Sequence, residues 1–188
     1  QDSEVDLSKY VPVAPVPLED LKELFDSYLN QIEDLEIKTL TQNLIKENYT
    51  PYTTYPAAIT VHHAYISGLL YHSLCICKSA LEIQKDYPFL IKDYLIAGSL
   101  LHDIGKTREL NSAIASNYTE EGNLIGHITI GAMMVYEEGK KEKISEEKLT
   151  VLIHMILSHH GKPEFGSAKV PLTAEAYVLH VLDDLDAK

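Results

Sequence analysis

The sequence has little of three features that would place it in other classes of protein. It contains only two cysteines, Cys75 and Cys77, and their spacing points them to different faces of a helix, so we interpret them as buried thiols rather than as a disulfide or a zinc site. No stretch approaches the roughly 18 consecutive apolar residues of a membrane span, which predicts a cytoplasmic protein with no membrane partner. Basic residues number 16 against 28 acidic ones, a net charge of −12, and this argues against a basic nucleic-acid-binding face.

Alternating strand patterns, internal repeats and low-complexity tracts are missing as well. Apolar residues instead recur every three or four positions, as at Leu21, Leu24 and Phe25, which is typical of helices. The pattern predicts an all-α fold with one helical domain over residues 18–188 and helices at about 18–30, 33–48, 57–84, 88–104, 123–139, 146–160 and 172–186.

Two segments are not expected to be helical. The stretch "VPVAPVP", Val11 to Pro17, has too many prolines for a helix, so residues 1–17 are predicted to form an extended arm or linker. The stretch "TPYTTYP", Thr50 to Pro56, is predicted to be a loop. The sequence starts at Gln1 rather than at a methionine and stops directly after a helical pattern, so we expect it to be part of a longer protein.

Histidine is the residue that stands out, with nine copies. Neutral imidazole is the commonest side-chain ligand for transition metals, but a single histidine on a helix is more often packed or solvated than bound to metal. The arrangement matters more than the number. A set of histidines and aspartates falls on different predicted helices or their ends, so that each can reach a common centre in a helical bundle: His72, His102, Asp103, His127, His159, His160 and Asp183.

Two histidine-containing pairs share a further feature. The pairs His102-Asp103 and His159-His160 each end an apolar helical run, and we expect Gly105 and Gly161 to stop those helices. The C-terminal end of a helix carries partial negative charge, which favours a bound cation. Both pairs therefore lie where a metal ion is electrostatically favoured.

Five motifs follow one another in the chain: "HHAYISGLLYHSL", "LLHDIGKTREL", "YTEEGNLIGHITIG", "ILSHHGKPEFGS" and "EAYVLHVLDDLDAK". In this order they resemble the HD-domain metal-dependent phosphohydrolases, and more closely the HD domain of the YhaM-type 3′→5′ exoribonucleases. The resemblance covers most of residues 52–188 and extends through "LSKYVPVAPVPLEDL" to the arm. It implies an HD-domain helical bundle, 3′→5′ hydrolysis of single-stranded RNA with DNA as a possible second substrate, and an OB-fold domain upstream of this chain.

The resemblance also implies two divalent metal ions. The first would be held by His72, His102, Asp103 and Asp183. The second would be held by His127, His159 and His160, with the Asp103 carboxylate bridging both ions. Two such ions hold a hydroxide between them and stabilise charge on the phosphoryl oxygens, and they offset the acidic charge where a phosphate approaches. Nitrogen and oxygen ligands without thiolate favour Mn²⁺, Fe²⁺, Co²⁺ or Ni²⁺ over Zn²⁺.

Other residues around these motifs are candidates for substrate contact or for structure. Lys106 is placed to meet a phosphate as a point charge and is, with Asp103, a candidate catalytic residue, while Arg108 is a further candidate for substrate contact. The remaining histidines are assigned mostly to structure, with His180 placed to hold a ligand by hydrogen bond: His62, His63, His154 and His180. Three tyrosines are candidates for stacking on a base: Tyr65, Tyr71 and Tyr118.

Where the chain departs from the family pattern, no predicted ligand is affected. Ser67 stands where a glycine is expected, and Tyr71 stands where a glutamate is expected. Two other functions stay open at this point. A nucleotide phosphohydrolase or a cyclic-nucleotide phosphodiesterase would use the same metal site. A non-catalytic regulatory HD domain is the other alternative, although the intact ligand set argues against it. Association into a homo-oligomer also stays open.

Overall fold

The computed structural model describes residues 12–59 and 63–188. In these ranges the only β contacts are two isolated bridges, Val13 with Ile66 and Leu110 with Tyr118, so the predicted all-α fold is confirmed. The helices are α1 (Leu18–Asn30), α2 (Leu35–Glu47), α3 (Tyr49–Thr54), α4 (Gly68–Asp86), α5 (Lys92–Leu101), α6 (Lys106–Glu109), α7 (Glu120–Ile125), α8 (His127–Lys141), α9 (Glu146–Ser158) and α10 (Ala174–Asp186), with a 3₁₀ turn at Pro163–Phe165.

Helix α3 corrects the prediction of a loop at 50–56. Pro51 lies in the first turn of α3, where a helix does not need the missing N–H. The Tyr52 side chain is completely buried and its hydroxyl donates a hydrogen bond to the carbonyl of Leu100 at 2.8 Å. Burial of this ring against α5 outweighs the turn preference of its neighbours.

Helix α4 is shorter than predicted. It begins at Gly68 rather than near 57, after Ser67 in the left-handed region with φ 64°. The segment before it is occupied by contacts with the arm, because the Ile66 amide donates to the Pro12 carbonyl at 3.0 Å and the Ala14 amide donates to the Ile66 carbonyl at 3.0 Å. Residues 12–17 are therefore non-helical, whereas the predictions for 1–11 and for His62 lie outside the described residues.

Both histidine-containing pairs follow a helix end, as predicted, but the two glycines differ. Helix α5 ends at Leu101 and α9 ends at Ser158. Gly161 adopts a left-handed φ of 78° and fits the expected stop. Gly105 has φ −61° and leads directly into α6, whereas α5 already ends at Leu101, so the prediction that Gly105 stops this helix is wrong.

Helix α5 is the centre of the bundle. It contacts α1, α2, α4, α9 and α10, and its residues from Tyr94 to Leu101 are all buried, as expected for a helix that is apolar on every side. Its C-terminal end therefore delivers the next two residues, His102 and Asp103, into the interior. Both cysteines are free, with Cys77 in the core and Cys75 partly buried. None of the helices in the described ranges has the length and apolar character needed to cross a membrane.

Candidate active site

The fold brings the seven predicted ligands together in the middle of the bundle. The helices that carry them are α4 for His72, the end of α5 for His102 and Asp103, the start of α8 for His127, the end of α9 for His159 and His160, and α10 for Asp183. Among the groups whose ligand atoms lie within 4.8 Å of one another are two that could each hold a metal ion: His72 with His102 and Asp103, and His127 with His159 and His160.

Asp103 lies between these two groups. Its Oδ2 is 3.3 Å from Nε2 of His102 and 3.7 Å from Nε2 of His72. Its Oδ1 is 3.3 Å from Nε2 of His127 and 3.6 Å from Nε2 of His159. One carboxylate thus faces imidazoles on both sides, and its side chain is only 2% exposed.

Asp183 completes the first group. Its Oδ1 is 3.1 Å from Nε2 of His72 and 3.7 Å from Nε2 of His102, and those two imidazole nitrogens are 3.2 Å apart. Four potential ligand atoms therefore converge on a small buried volume. A divalent cation is the kind of group that nitrogen and oxygen donors surround in this way.

Several buried polar atoms in this cluster have no hydrogen-bond partner among the described residues. They are Oδ1 of Asp103, Nε2 of His127 and Nε2 of His159. Buried polar atoms are nearly always hydrogen-bonded in proteins, so three unsatisfied atoms facing one another indicate a missing partner. A cation satisfies a carboxylate oxygen and two imidazole nitrogens at once, and the donor set therefore fits a metal ion.

The opposite ring nitrogens hold the imidazoles in place. Three of the rings donate Nδ1–H to main-chain carbonyls: His102 to Ser99 at 2.9 Å, His159 to Ile156 at 2.6 Å and His160 to Phe165 at 2.7 Å. Because a carbonyl only accepts, Nδ1 carries the proton, and in a neutral ring the lone pair is then on Nε2. This is the arrangement that orients histidine ligands in metal sites.

Two carboxylates that sequence reasoning missed support other rings. Glu109 accepts hydrogen bonds from Nδ1 of His127 at 3.0 Å and from the His127 main-chain amide at 2.8 Å. Asp186 lies 2.6 Å from Nδ1 of His72 and 2.8 Å from Nε2 of His63. The sequence held a weak signal for each, because Glu109 belongs to the same motif as Asp103 and Asp186 lies one helical turn beyond Asp183.

Burial and charge pull the pKa values of the cluster in opposite directions. Burial by itself raises the pKa of Asp103, but the Lys106 ammonium and His102 outweigh burial and hold that pKa well below its usual range. Burial lowers the pKa of His159 to about 4, so this ring is neutral at pH 7. Burial also acts to lower the pKa of His72, but hydrogen bonds to Asp183 and Asp186 outweigh burial and raise that pKa to about 9.

The predicted substrate contacts lie in different places. Lys106 is buried, and its Nζ is 2.6 Å from Oδ2 of Asp103. Arg108 points elsewhere, because its guanidinium pairs with Glu121 at 2.7 Å and lines a separate cavity with Glu47 and Glu138. The structure does not bring Arg108 to the cluster, and its contact with substrate stays a prediction.

The remaining histidines lie around or away from the cluster. Nε2 of His154 accepts a hydrogen bond from the Leu172 amide at 2.9 Å near the surface, in agreement with its helical rotation away from His159. His180 donates Nδ1–H to the His159 carbonyl at 2.9 Å, so it holds the main chain of the predicted ligand rather than its ring. The Tyr65 ring contacts His63 edge to face.

Two comparisons with known proteins show what this chain is similar to. The family model of the HD domain matches residues 69–188. The 3′-5′ exoribonuclease YhaM of Bacillus licheniformis is 38% identical over 188 residues, which is all of this chain and 60% of the relative. The chain therefore spans less than two thirds of the length of that relative. No solved structure matches the chain significantly.

Proposed function

This chain belongs to the HD-domain family, and on that premise we propose that it is a metal-dependent phosphodiester hydrolase that removes nucleotides from the 3′ end of single-stranded RNA. The observation that carries the proposal is the Asp103 carboxylate between two groups of imidazoles, with three buried donor atoms unsatisfied among the described residues. The name of the relative from Bacillus licheniformis supports the substrate class.

The proposed ligands are the seven residues of the cluster. His72, His102, Asp103 and Asp183 would hold one ion, and His127, His159 and His160, again with Asp103, would hold the other. When bound, the ions supply a nucleophilic water at neutral pH and a sink for the charge that develops on the phosphoryl oxygens. The nitrogen and oxygen ligand set favours Mn²⁺, Fe²⁺, Co²⁺ or Ni²⁺ over Zn²⁺.

The chain's own residues supply the rest of the chemistry. Asp103 contributes the negative charge that both groups of imidazoles share. Lys106 has three ammonium N–H donors, of which one is used by Asp103 at 2.6 Å, so two are left to bind a phosphoryl oxygen. Lys106 also lines the two cavities that open beside the cluster. It is therefore the residue placed to position the phosphate and to neutralise it.

Acidic charge limits what the chain does alone. With a net charge of −12, it has little general attraction for a polyanion, and we propose that the upstream OB-fold domain holds the strand in the longer protein. We also propose single-stranded DNA as a second substrate, because none of the proposed substrate contacts requires a 2′-hydroxyl. A cytoplasmic location is part of the same proposal.

Metal binding is expected to release a proton from His72 at neutral pH. With its pKa raised to about 9, His72 is protonated below that pH, whereas a metal ligand must be a neutral ring. The affinity for metal therefore falls as the pH drops below 9. Calorimetric titration of metal-free protein with Mn²⁺, in two buffers that differ in protonation enthalpy, measures the protons released. The same heat in both buffers would contradict this prediction.

Replacing Glu109 with glutamine is expected to weaken metal binding about 10- to 100-fold. The Glu109 carboxylate holds both the ring and the main chain of His127, and a neutral amide holds them less strongly while keeping the size of the side chain. The matched control is Glu121→Gln, which removes a charge from an exposed pair with Arg108 and should leave metal affinity unchanged. Equal affinities in the two variants would show that Glu109 does not position His127.

The experiment that tests the function is a time course on RNA labelled at its 5′ end, with Mn²⁺ present. A ladder that shortens by single nucleotides supports the proposal, and an RNA with a blocked 3′ end should stay intact. Because few phosphates are contacted, added salt should slow the reaction only modestly. If mononucleotides, nucleoside triphosphates or cyclic nucleotides are hydrolysed while RNA and DNA are untouched, the small-molecule phosphohydrolase replaces this proposal.

A further inference from the structure

Two cavities adjoin at Lys106. The first has a volume of about 270 Å³ and is lined in part by His160, Phe165 and Asp183. The second has a volume of about 190 Å³ and is lined in part by Glu109, Tyr118 and His127. Lys106 and Ala58 line both cavities, so the two adjoin at the residue proposed to bind the phosphate.

Each cavity has one exposed aromatic ring on its wall. Phe165 is 64% exposed in the first cavity and Tyr118 is 50% exposed in the second. Their faces are available to a flat ligand group, and the two rings line cavities that share one cationic side chain, that of Lys106.

The main chain ties each ring to the cluster. The Phe165 carbonyl accepts the hydrogen bond from Nδ1 of His160 at 2.7 Å. On the other side, Tyr118 forms a bridge with Leu110, and the next amide, that of Thr119, donates to the Glu109 carbonyl at 2.8 Å. The backbone at both rings is thus fixed relative to the residues that surround the proposed metal ions.

Charge alone does not hold a strand here. Among the described residues that line the two cavities, Lys106 is the only lysine or arginine, and it is accompanied by Glu109, Asp183 and Asp184. A polynucleotide binds by phosphate contacts where cationic residues follow its backbone. Stacking of bases on aromatic rings is the other source of affinity for single strands, and it does not depend on base identity.

We infer that Tyr118 and Phe165 are stacking platforms for the two nucleobases on either side of the scissile phosphate, which lies at Lys106. This inference rests on the proposed function, and it adds that the preferred substrate contains two consecutive nucleotides with both bases present. A mononucleotide or a cyclic mononucleotide fills only one cavity. The substrate is therefore a strand of any sequence rather than a single nucleotide.

The test combines two variants with three RNAs. Tyr118→Ala and Phe165→Ala are compared on an intact RNA and on RNAs with an abasic ribose at the 3′-terminal or the penultimate position. On intact RNA each variant is expected to raise KM about 5- to 100-fold. On one of the two abasic RNAs, each variant should have the same KM as the wild type, because the base that its ring would contact is already absent. That RNA should be a different one for each variant. Tyr118→Phe and Phe165→Tyr should keep the wild-type KM.

Matched controls separate a loss of stacking from a general effect. Phe89 is 71% exposed and Tyr177 is 61% exposed, and neither lines the two cavities, so Phe89→Ala and Tyr177→Ala should behave as wild type. Quenching of 2-aminopurine placed at each of the two positions, measured without metal so that no cleavage occurs, reports stacking directly. Each alanine variant should lose this quenching at one of the two positions, and the position should differ between the two variants.

The outcomes separate the inference from the function on which it rests. A wild-type protein that shortens RNA from the 3′ end while both alanine variants match their controls overturns the stacking platforms and leaves the function in place. The same fold loss on intact and abasic RNA also overturns the platforms. A wild-type protein that leaves every RNA intact overturns the proposed function and this inference together.

Discussion

Replacing Asp103 with asparagine is expected to abolish hydrolysis and the retention of metal. Among the described residues, the Asp103 carboxylate is the only carboxylate within 4 Å of the imidazoles of His72, His102, His127 and His159 alike. Asparagine keeps the shape but removes the charge that two divalent ions would share. Loss of several kcal/mol of charge stabilisation corresponds to a fall in kcat of about 10³-fold or more. Metal content by mass spectrometry and kcat on RNA measure the two effects.

The control for Asp103 is a histidine outside the cluster. His154→Ala removes a hydrogen bond to the Leu172 amide near the surface and should leave kcat and metal content close to wild type. Circular dichroism at the assay temperature verifies that both variants are folded, because Asp103→Asn also leaves the buried Lys106 without its ion pair, at a cost of about 3–5 kcal/mol. Equal losses of activity in both variants would mean that the wrong histidines have been assigned to the cluster.

Replacing Gly105 with alanine is expected to damage both stability and the site. A Cβ at Gly105 would lie 2.0 Å from the His127 carbonyl oxygen and 2.7 Å from the Gly131 amide nitrogen. Both neighbours are main-chain atoms of α8, so the clash is relieved only by moving α6 away from α8. Overpacking of this kind costs about 3 kcal/mol, and it displaces His127 from Asp103. Urea unfolding followed by circular dichroism, together with metal content, measures both losses.

The matched control for this substitution lies across the same contact. A Cβ at Gly131 would have its nearest neighbour, the Gly105 amide nitrogen, at 3.3 Å and two side-chain carbons at 3.5 Å. Alanine also gains about 1 kcal/mol over glycine inside a helix. Gly131→Ala should therefore change the free energy of unfolding by no more than about 1 kcal/mol and leave metal binding intact. A Gly105→Ala protein as stable and as metal-loaded as Gly131→Ala would refute the close approach of α6 and α8.

The sequence was sufficient to predict which side chains meet. The histidines and aspartates follow one another on different predicted helices, and several lie at helix ends. The pairs at 102–103 and 159–160 follow apolar helical runs, and a bundle directs such ends to its interior. The supporting carboxylates were harder to predict. Glu109 and Asp186 are recognisable only from their distances to His127 and His72, since acidic residues near a histidine are common in a chain with 28 of them.

Helix α3 and Gly105 show why other predictions failed. Around Tyr52 the local residues favour a turn, but a completely buried ring that bonds to Leu100 is a tertiary effect that no local pattern contains. Gly105 was predicted to stop a helix, yet what its position requires is the absence of a side chain against α8. Close approach between helices leaves no mark in a single sequence beyond the glycine itself.

The hydrogen bonds from His102 to Ser99 and from His159 to Ile156 have a consequence for how metal is bound. Each ring is held by a carbonyl three residues earlier on its own helix, so its orientation is fixed as soon as the helix forms. Immobilising a free side chain costs about 0.5–1.5 kcal/mol in rotamer entropy, and for these two rings that cost is met during folding rather than during binding. Metal binding at the proposed site is therefore expected to be preorganised, with an affinity that depends on the docking of helix ends more than on the ordering of side chains.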